Sequence, residues 1–171
     1  MIIVALDIGA KRIGVATGDD EARIATPREV IPRRSNAAAI AAIARVLERT
    51  DAGQVVVGLP ISFDGQLHAQ ARGVQAFAEQ LRTRIGIPLV YQDETLSTVR
   101  AEDALRAAGV RPERIRERID AAAAAVILQD YLDQCPPTNP PLAGDAPREA
   151  AGHGAMPAQD GPEETEEVRR I

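Results

Sequence analysis

Aromatic residues and cysteine are scarce in this chain of 171 residues, which has two phenylalanines, two tyrosines, no tryptophan and one cysteine. Such a small aromatic set argues against recognition of single-stranded nucleic acid by base stacking. The one cysteine, Cys135, excludes an internal disulfide framework and a zinc site built on cysteines. The hydrophobic core must therefore be built from alanine, valine, isoleucine and leucine.

Long hydrophobic runs are missing as well. No window of the sequence approaches the length of a membrane-spanning segment. The chain begins with the pattern of a core strand rather than with a basic and apolar signal peptide. We therefore expect a cytoplasmic protein without a membrane partner, and the length suits one domain of ordinary size.

Charge is distributed unevenly along the chain. Residues 1–135 carry 17 Lys and Arg against 18 Asp and Glu, whereas residues 136–171 carry 3 against 7. The second segment is rich in proline, glycine, alanine and glutamate, so we expect a disordered acidic tail after one folded domain. Because residues 1–135 are nearly neutral, nucleic-acid binding would need a local basic face.

Hydrophobic patterning predicts alternating strands and helices. Predicted strands lie near residues 2–7, 12–18, 28–31, 54–58 and 87–92, and predicted helices span about 36–50, 68–84, 98–109 and 119–133. We expect Thr98 to cap the third helix and Gly109 to end it. Three antiparallel strands followed by helical crossovers give an α/β fold, with a mixed five-stranded sheet and helices on both faces.

The opening segment places one carboxylate at the end of a buried strand. Asp7 follows an apolar run and precedes a glycine turn, after which residues 13–16 predict a second strand hairpinned to the first. A carboxylate there needs a cation or hydrogen-bond donors. Asp7 therefore either serves a metal or phosphate site or begins a tight turn through its own backbone.

Further acidic residues fall at the same predicted edge of the sheet. Asp93 and Glu94 end the last strand, and Asp120 lies in the first predicted turn of the final helix, above alanines that allow close packing. Ligands of open α/β sheets bind at this edge. Clustered carboxylates need a cation, and oxygen-only ligands favour Mg²⁺ or Mn²⁺. Taken singly, Asp120 is also explained as a helix-start acid and Asp93 as a turn residue.

Four motifs stand in order along the chain. They are DIGAKRIGVA at 7–16, GLP followed by Asp-Gly at 58–65, DETLST at 93–98, and DAAA leading into ILQDYL at 120–132. Together they resemble the YqgF/RuvX family of bacterial nucleases over residues 1 to about 134. Each motif alone is weak, whereas four in register are specific.

The resemblance implies an RNase H-like fold and metal-dependent phosphodiester cleavage by Mg²⁺ or Mn²⁺. It implies a role in maturing the 5′ end of pre-16S ribosomal RNA, or in resolving four-way Holliday junctions. On this mapping Asp7, Glu94 and Asp120 are the catalytic and metal-binding carboxylates, and Asp93 is a neighbour that assists. Structured nucleic acid is the expected partner.

One position departs from the family pattern, which usually carries arginine after the Asp-Glu pair. This chain has Thr95 there, and Arg100, about one turn into the next helix, is the candidate substitute.

Cations and loops are expected around the carboxylates. Lys11 and Arg12 on the hairpin turn are placed to hold a phosphate backbone, although a solvated hairpin tip is equally compatible. Gly9, Gly58 and Pro60 are expected in loops at the rim of the site.

Other functions stay open at this point. One alternative is a non-catalytic RNA-binding assembly factor, which would keep the fold but not the activity. Thr95, in place of the arginine of the family pattern, is compatible with this alternative. The opening motif also resembles the first phosphate motif of the sugar-kinase, chaperone and actin ATPases, but those proteins need a second domain of the same kind. Phosphate chemistry does not separate RNA from four-way DNA, and no pattern decides between monomer and homodimer.

Overall fold

The computed structural model describes residues 1–60, 69–94 and 97–135. Its elements are β1 (Ile2–Ile8), β2 (Arg12–Asp19), β3 (Ala25–Pro32), α1 (Asn36–Thr50), β4 (Ala52–Leu59), α2 (Ala69–Arg82), β5 (Leu89–Asp93), α3 (Ser97–Ala107) and α4 (Pro112–Gln134). The predicted tail at 136–171 lies outside the described residues, so the expected domain boundary stays a prediction. Within the described ranges, no helix is both long and apolar enough to cross a membrane.

The strands form one mixed sheet in the order β3-β2-β1-β4-β5. β2 is antiparallel to both β1 and β3, whereas β4 is parallel to both β1 and β5. The parallel strands are joined through helices, which is why apolar side chains line both faces of this half of the sheet. The predicted five-stranded α/β arrangement is confirmed.

Helices cover both faces of the sheet. On one face α1 and α2 pack on the even-numbered side chains of β1, and the fully buried Phe77 of α2 lies in this core. On the other face α4 packs on Ile3 and Ala5 of β1 and on Val56 of β4. Because side chains alternate along a strand, Asp7 shares the α4 face with Ile3 and Ala5.

The sequence pattern placed the first helix well and two later helix starts wrongly. Of Ser35 and Asn36, the two residues suited to cap the predicted helix, Ser35 caps α1, and its side chain accepts a hydrogen bond from the Ala38 N–H. Thr98 does not cap α3, because the helix already begins at Ser97. At its other end α3 does stop before Gly109, whose φ of 73° and backbone hydrogen bond to Arg106 complete a left-handed cap.

The final helix begins two turns before its predicted start. Pro112 occupies the first helical turn, where its missing N–H and fixed φ are tolerated. Asp120 therefore lies in the third turn of α4 rather than the first, and the helix dipole does not explain it.

The third strand is also longer than predicted. It begins at Ala25 and includes Pro27, which pairs with Ala16 beside a register shift. Proline is accepted there because β3 is an edge strand of the sheet.

Candidate functional site

Asp7 lies one residue before the end of β1 and is flanked by two glycines. Its partner in β2 is Gly14. On the other side, Leu6 pairs with Val57, so the register brings Gly58 of β4 beside Asp7. Because neither glycine has a side chain, the α4 face of the sheet is open on both sides of the Asp7 carboxylate.

Asp120 approaches Asp7 because α4 lies directly on Gly14. A Cβ atom at residue 14 would overlap the Asp120 carbonyl oxygen and come within 2.9 Å of the Ala121 nitrogen. Further along the same helix, Ala123 and Ala124 are fully buried against the sheet. Small residues on both sides thus bring the Asp120 carboxylate close to Asp7.

Glu94 reaches the same face from the end of β5. Its backbone N–H donates a 3.3 Å hydrogen bond to the Leu59 carbonyl. A Cβ atom at residue 58 would overlap the Glu94 Oε2 atom and come within 2.5 Å of the Ile127 Cδ1 atom. Gly58 is therefore part of β4, within the strand predicted at 54–58 and not in the rim loop, and it leaves room for the Glu94 carboxylate.

The remaining expected rim and acidic residues lie around this group. Gly9 follows β1, and its N–H donates to the Arg12 carbonyl at 2.9 Å, which closes the hairpin turn. Pro60 directly follows β4. Asp93 is the exposed last residue of β5.

Electrostatics couple the carboxylates into one cluster. Burial, and then the charge of Asp120, raise the pKa of Asp7 to about 6. Burial, and then the charges of Asp7 and Asp93, raise the pKa of Glu94 to about 7. Asp7 thus interacts with both Glu94 and Asp120, and the cluster holds more negative charge than its surroundings neutralise.

The donor chemistry of the cluster fits a hard divalent cation. Among the described residues, nothing donates a hydrogen bond to the buried oxygens Glu94 Oε2 and Asp120 Oδ2, and carboxylate oxygens are the ligands that Mg²⁺ and Mn²⁺ prefer. Across the described ranges, however, no three acidic, histidine or cysteine side chains surround a common point. Holding one ion with Asp7, Glu94 and Asp120 together would therefore require side-chain rotation.

Arg12 is the cation in contact with this cluster. Its Nε atom lies 2.8 Å from Asp120 Oδ2. The two groups form an ion pair, but the geometry of the Nε–H group does not meet that of a hydrogen bond. Its Nη1 atom donates to the Arg116 carbonyl in α4 at 3.1 Å. Lys11 is exposed on the same turn, and a cavity of about 410 Å³ is lined by Gly9, Ala10, Lys11, Arg12 and Asp120.

Arg33 supports the turn, a role that local patterning did not predict. Its Nη1 atom donates to the Gly9 carbonyl at 3.0 Å, and its backbone N–H donates to the Lys11 carbonyl at 2.8 Å. Its Nε and Nη2 atoms donate to Asn36 Oδ1, and the guanidinium lies 4.6 Å from the centre of the Phe77 ring. The one signal in the sequence is its position just after the strand that pairs with Arg12.

Arg100 lies away from the carboxylate cluster, contrary to expectation. Its two terminal nitrogens donate to the Asp130 carboxylate at 2.6 and 2.9 Å, which ties α3 to α4. Asp130 is ten residues after Asp120, about 15 Å further along the helix. Arg100 therefore does not substitute for an arginine at the site, and Thr95 lies outside the described residues.

The match to a family profile covers the whole described domain. Residues 1–134 match RuvX, whose description is Holliday junction resolvase. The chain belongs to the RuvX family. A relative from Chloroflexus aggregans, named "Putative pre-16S rRNA nuclease", is 47% identical over 131 residues, which are 77% of this chain and 92% of the relative. A relative of the same name from Anaeromyxobacter is 46% identical over 133 residues, 78% of this chain and 97% of the relative. The family assignment from the four motifs is confirmed.

Solved structures show the fold of this RuvX chain. RuvC of T. thermophilus, in complex with a Holliday junction substrate, has a TM-score of 0.52 at 18% identity, covering 80% of this chain and 99% of that one. The resolvase of Fowlpox virus, in complex with Holliday junction DNA, has a TM-score of 0.51 at 14% identity, covering 78% and 97%. The predicted RNase H-like fold is confirmed.

Proposed function

We propose that this protein is a divalent-metal-dependent endonuclease that processes the 5′ end of pre-16S ribosomal RNA in the cytoplasm. Membership of the RuvX family and the names of its relatives support a phosphodiester-hydrolysing enzyme. The observation that carries the proposal is the coupled set of Asp7, Glu94 and Asp120 on one sheet face. Burial of these acids is costly unless a cation joins them.

The carboxylates have distinct roles in this proposal. Asp7, Glu94 and Asp120 would hold Mg²⁺ or Mn²⁺, and the bound ion would supply activation of a water molecule and stabilisation of the leaving oxygen of the phosphodiester. Asp7 is the central ligand, because its charge interacts with both of the other two. Glu94 and Asp120 would contribute their buried oxygens, which accept no hydrogen bond from the residues that the structure describes. Asp93, exposed beside them, adds negative charge around Glu94.

The basic turn is the proposed contact with the nucleic-acid backbone. Lys11 and Arg12 line the cavity that opens beside Asp120. Cations there neutralise phosphate charge, so binding should weaken as the salt concentration rises. This contact positions a strand beside the carboxylates without selecting its sequence.

Four-way DNA is the second candidate substrate. The description of the RuvX family and the fold shared with RuvC in its junction complex favour it. Both substrates call for the same carboxylates, so the choice between them needs direct comparison.

The test uses the full chain with a pre-16S RNA fragment carrying its 5′ extension, a four-way DNA junction and a linear duplex. We expect RNA cleavage with Mg²⁺ or Mn²⁺ and none with EDTA. Asp7→Asn, Glu94→Gln and Asp120→Asn should each abolish cleavage while thermal unfolding stays cooperative. Asp103→Asn, which changes an exposed carboxylate in α3, is the matched control and should cut normally.

The outcomes separate the candidates. Cleavage that persists in all three variants would contradict the proposed site. Cutting of the junction alone would favour a resolvase. Tight binding of RNA without cutting would favour a non-catalytic assembly factor.

A further inference from the structure

The three carboxylates of the cluster differ in their charged neighbours and in their hydrogen bonds. Asp120 has the Arg12 guanidinium at 2.8 Å. Glu94 has a buried oxygen that accepts no hydrogen bond from the described part of the chain, and Asp7 has the carboxylates of Glu94 and Asp120 as charged neighbours. One arginine thus neutralises Asp120 and leaves Asp7 and Glu94 to repel each other.

The contact of Arg12 also fixes where the Asp120 side chain lies. The Asp120 backbone is held against Gly14, so only its side chain is left to turn. Arg12 draws that side chain towards the hairpin turn, and its second bond, to the Arg116 carbonyl, holds the guanidinium on α4. This is consistent with the finding that no three of the described acids surround a common point.

The backbone of Arg12 is held in the sheet, whereas its side chain is exposed enough to move away from Asp120. Its carbonyl accepts from Gly9, and its residue pairs with Pro32 in β3. Its side chain is 48% exposed, against 23% for Asp120. The guanidinium can therefore move into solvent, or into the neighbouring cavity of about 410 Å³, without any change in the sheet.

A divalent ion and a guanidinium compete for a single carboxylate oxygen, because the two cations repel each other at contact distance. We propose that Arg12 is an exchangeable counter-ion: it holds Asp120 in the metal-free protein, and a divalent cation displaces it from Asp120 towards the phosphate of the substrate. The proposal rests on the proposed function, since it assigns a second task to a residue of that site. Metal binding then both draws Asp120 towards Asp7 and releases a cation beside the cavity.

This exchange predicts opposite effects of one substitution on two ligands. Arg12→Gln removes the competitor, so Mn²⁺ should bind the nucleic-acid-free protein about three- to fivefold more tightly, the range expected for one partly exposed ion pair. The same variant should bind RNA more weakly, because it lacks a cation at the backbone contact. Arg12→Lys keeps the charge but not the double contact with α4, and should fall between wild type and Arg12→Gln for Mn²⁺.

The measurement is calorimetric titration of the full chain with MnCl₂, followed by RNA binding in EDTA and, with a non-cleavable RNA analogue, in MnCl₂, where the loss of RNA affinity in Arg12→Gln should be larger. Lys11→Gln is the matched control, because Lys11 lines the same cavity but forms no ion pair within the described ranges. It should weaken RNA binding and leave the Mn²⁺ affinity unchanged. Thermal unfolding in EDTA checks that each variant is folded.

Two results would overturn the exchange: an Arg12→Gln variant that binds Mn²⁺ no more tightly than Lys11→Gln, or one whose loss of RNA affinity is no larger in MnCl₂ than in EDTA. If this happens while the carboxylate variants still abolish cleavage, the proposed function stands and only the exchange fails. If Arg12→Gln binds Mn²⁺ more tightly but the wild-type protein cuts no substrate, the exchange stands and the proposed nuclease function fails.

Discussion

Gly14 lies directly beneath the backbone of Asp120, where α4 crosses β2. A Cβ atom at residue 14 would overlap the Asp120 carbonyl oxygen and come within 2.9 Å of the Ala121 nitrogen. Both are backbone atoms, so neither can move aside unless the helix lifts from the sheet. The missing side chain at residue 14 therefore sets how closely Asp120 approaches Asp7.

Gly14→Ala should damage the fold and the site together. We expect a loss of about 2–4 kcal/mol in the free energy of unfolding, at or above the upper end of the cost of overpacking. Urea unfolding of the metal-free protein measures it. Gly73→Ala is the matched control, because a Cβ there meets nothing within 4 Å, and alanine in a helix should add up to about 1 kcal/mol. Equal stability of the two variants would contradict the close approach of α4.

Gly58→Ala should harm the site more than the fold. The added methyl group would press on the ends of two flexible side chains, Glu94 and Ile127, rather than on backbone. We expect a cost of about 1–2 kcal/mol in stability and at least a tenfold loss of Mn²⁺ affinity, because the Glu94 carboxylate is displaced. If both changes act through the same carboxylate, Gly58→Ala combined with Glu94→Gln should bind Mn²⁺ no worse than Glu94→Gln alone. Additive losses would contradict this.

Local pattern determined most of the fold and only part of the site. The apolar runs at 2–6 and 55–57 show which strands are covered on both faces, and Ser35 lies directly before the start of α1. The start of α4 was missed because only Ile115 is buried in its first two turns, so no helical period of apolar residues is visible there.

The contacts that shape the site come from distant parts of the chain. Arg12 and Asp120 are 108 residues apart, and Arg33 meets Phe77 across 44 residues. The spacing of residues along the chain predicts neither contact, because many arginines of this chain could pair with Asp120 or lie on Phe77. Arg100 shows the same limit, since its position after the Asp-Glu pair did not indicate that it would bind Asp130.

Asp7 and Glu94 should make the metal-free protein less stable as the pH rises from about 4 to about 7. The pKa of Asp7 is raised from 3.8 to about 6, and that of Glu94 from 4.5 to about 7. Between the ordinary and the raised values, the folded protein keeps protons that the unfolded chain has released. The free energy of unfolding therefore falls as pH rises, and the loss is complete about one pH unit above the raised pKa of Glu94.

Urea unfolding in EDTA at pH 4.5 and pH 8 measures this loss, which should amount to a few kcal/mol. Asp7→Asn should be more stable than wild type at pH 8 and should lose less stability between the two pH values. The substitution removes the buried Asp7 carboxylate, and with it the charge that helps to raise the pKa of Glu94. Asp103→Asn should match wild type. An equal loss in Asp7→Asn and wild type would contradict the raised pKa of Asp7. Mn²⁺ should stabilise the protein more at the higher pH, since only ionised carboxylates bind it.

Arg33 should control the basic turn without contacting the substrate. Its guanidinium joins the Gly9 carbonyl to Asn36 of α1 and lies on the Phe77 ring. Arg33→Gln loses these contacts, so we expect a cost of about 1–3 kcal/mol in stability and a several-fold weaker affinity for RNA, because the turn carrying the phosphate contacts is less well held.

Arg34→Gln is the control that separates positioning from charge. Arg34 is the next residue and is exposed, so its loss removes the same net charge without touching the turn. It should change stability by less than about 0.5 kcal/mol and weaken RNA binding only slightly. If the two variants lose equal RNA affinity at every salt concentration, Arg33 acts through its charge alone. If Arg33→Gln also shows faster hydrogen exchange at the Gly9 amide, whose bond to Arg12 closes the turn, its role is to position that turn.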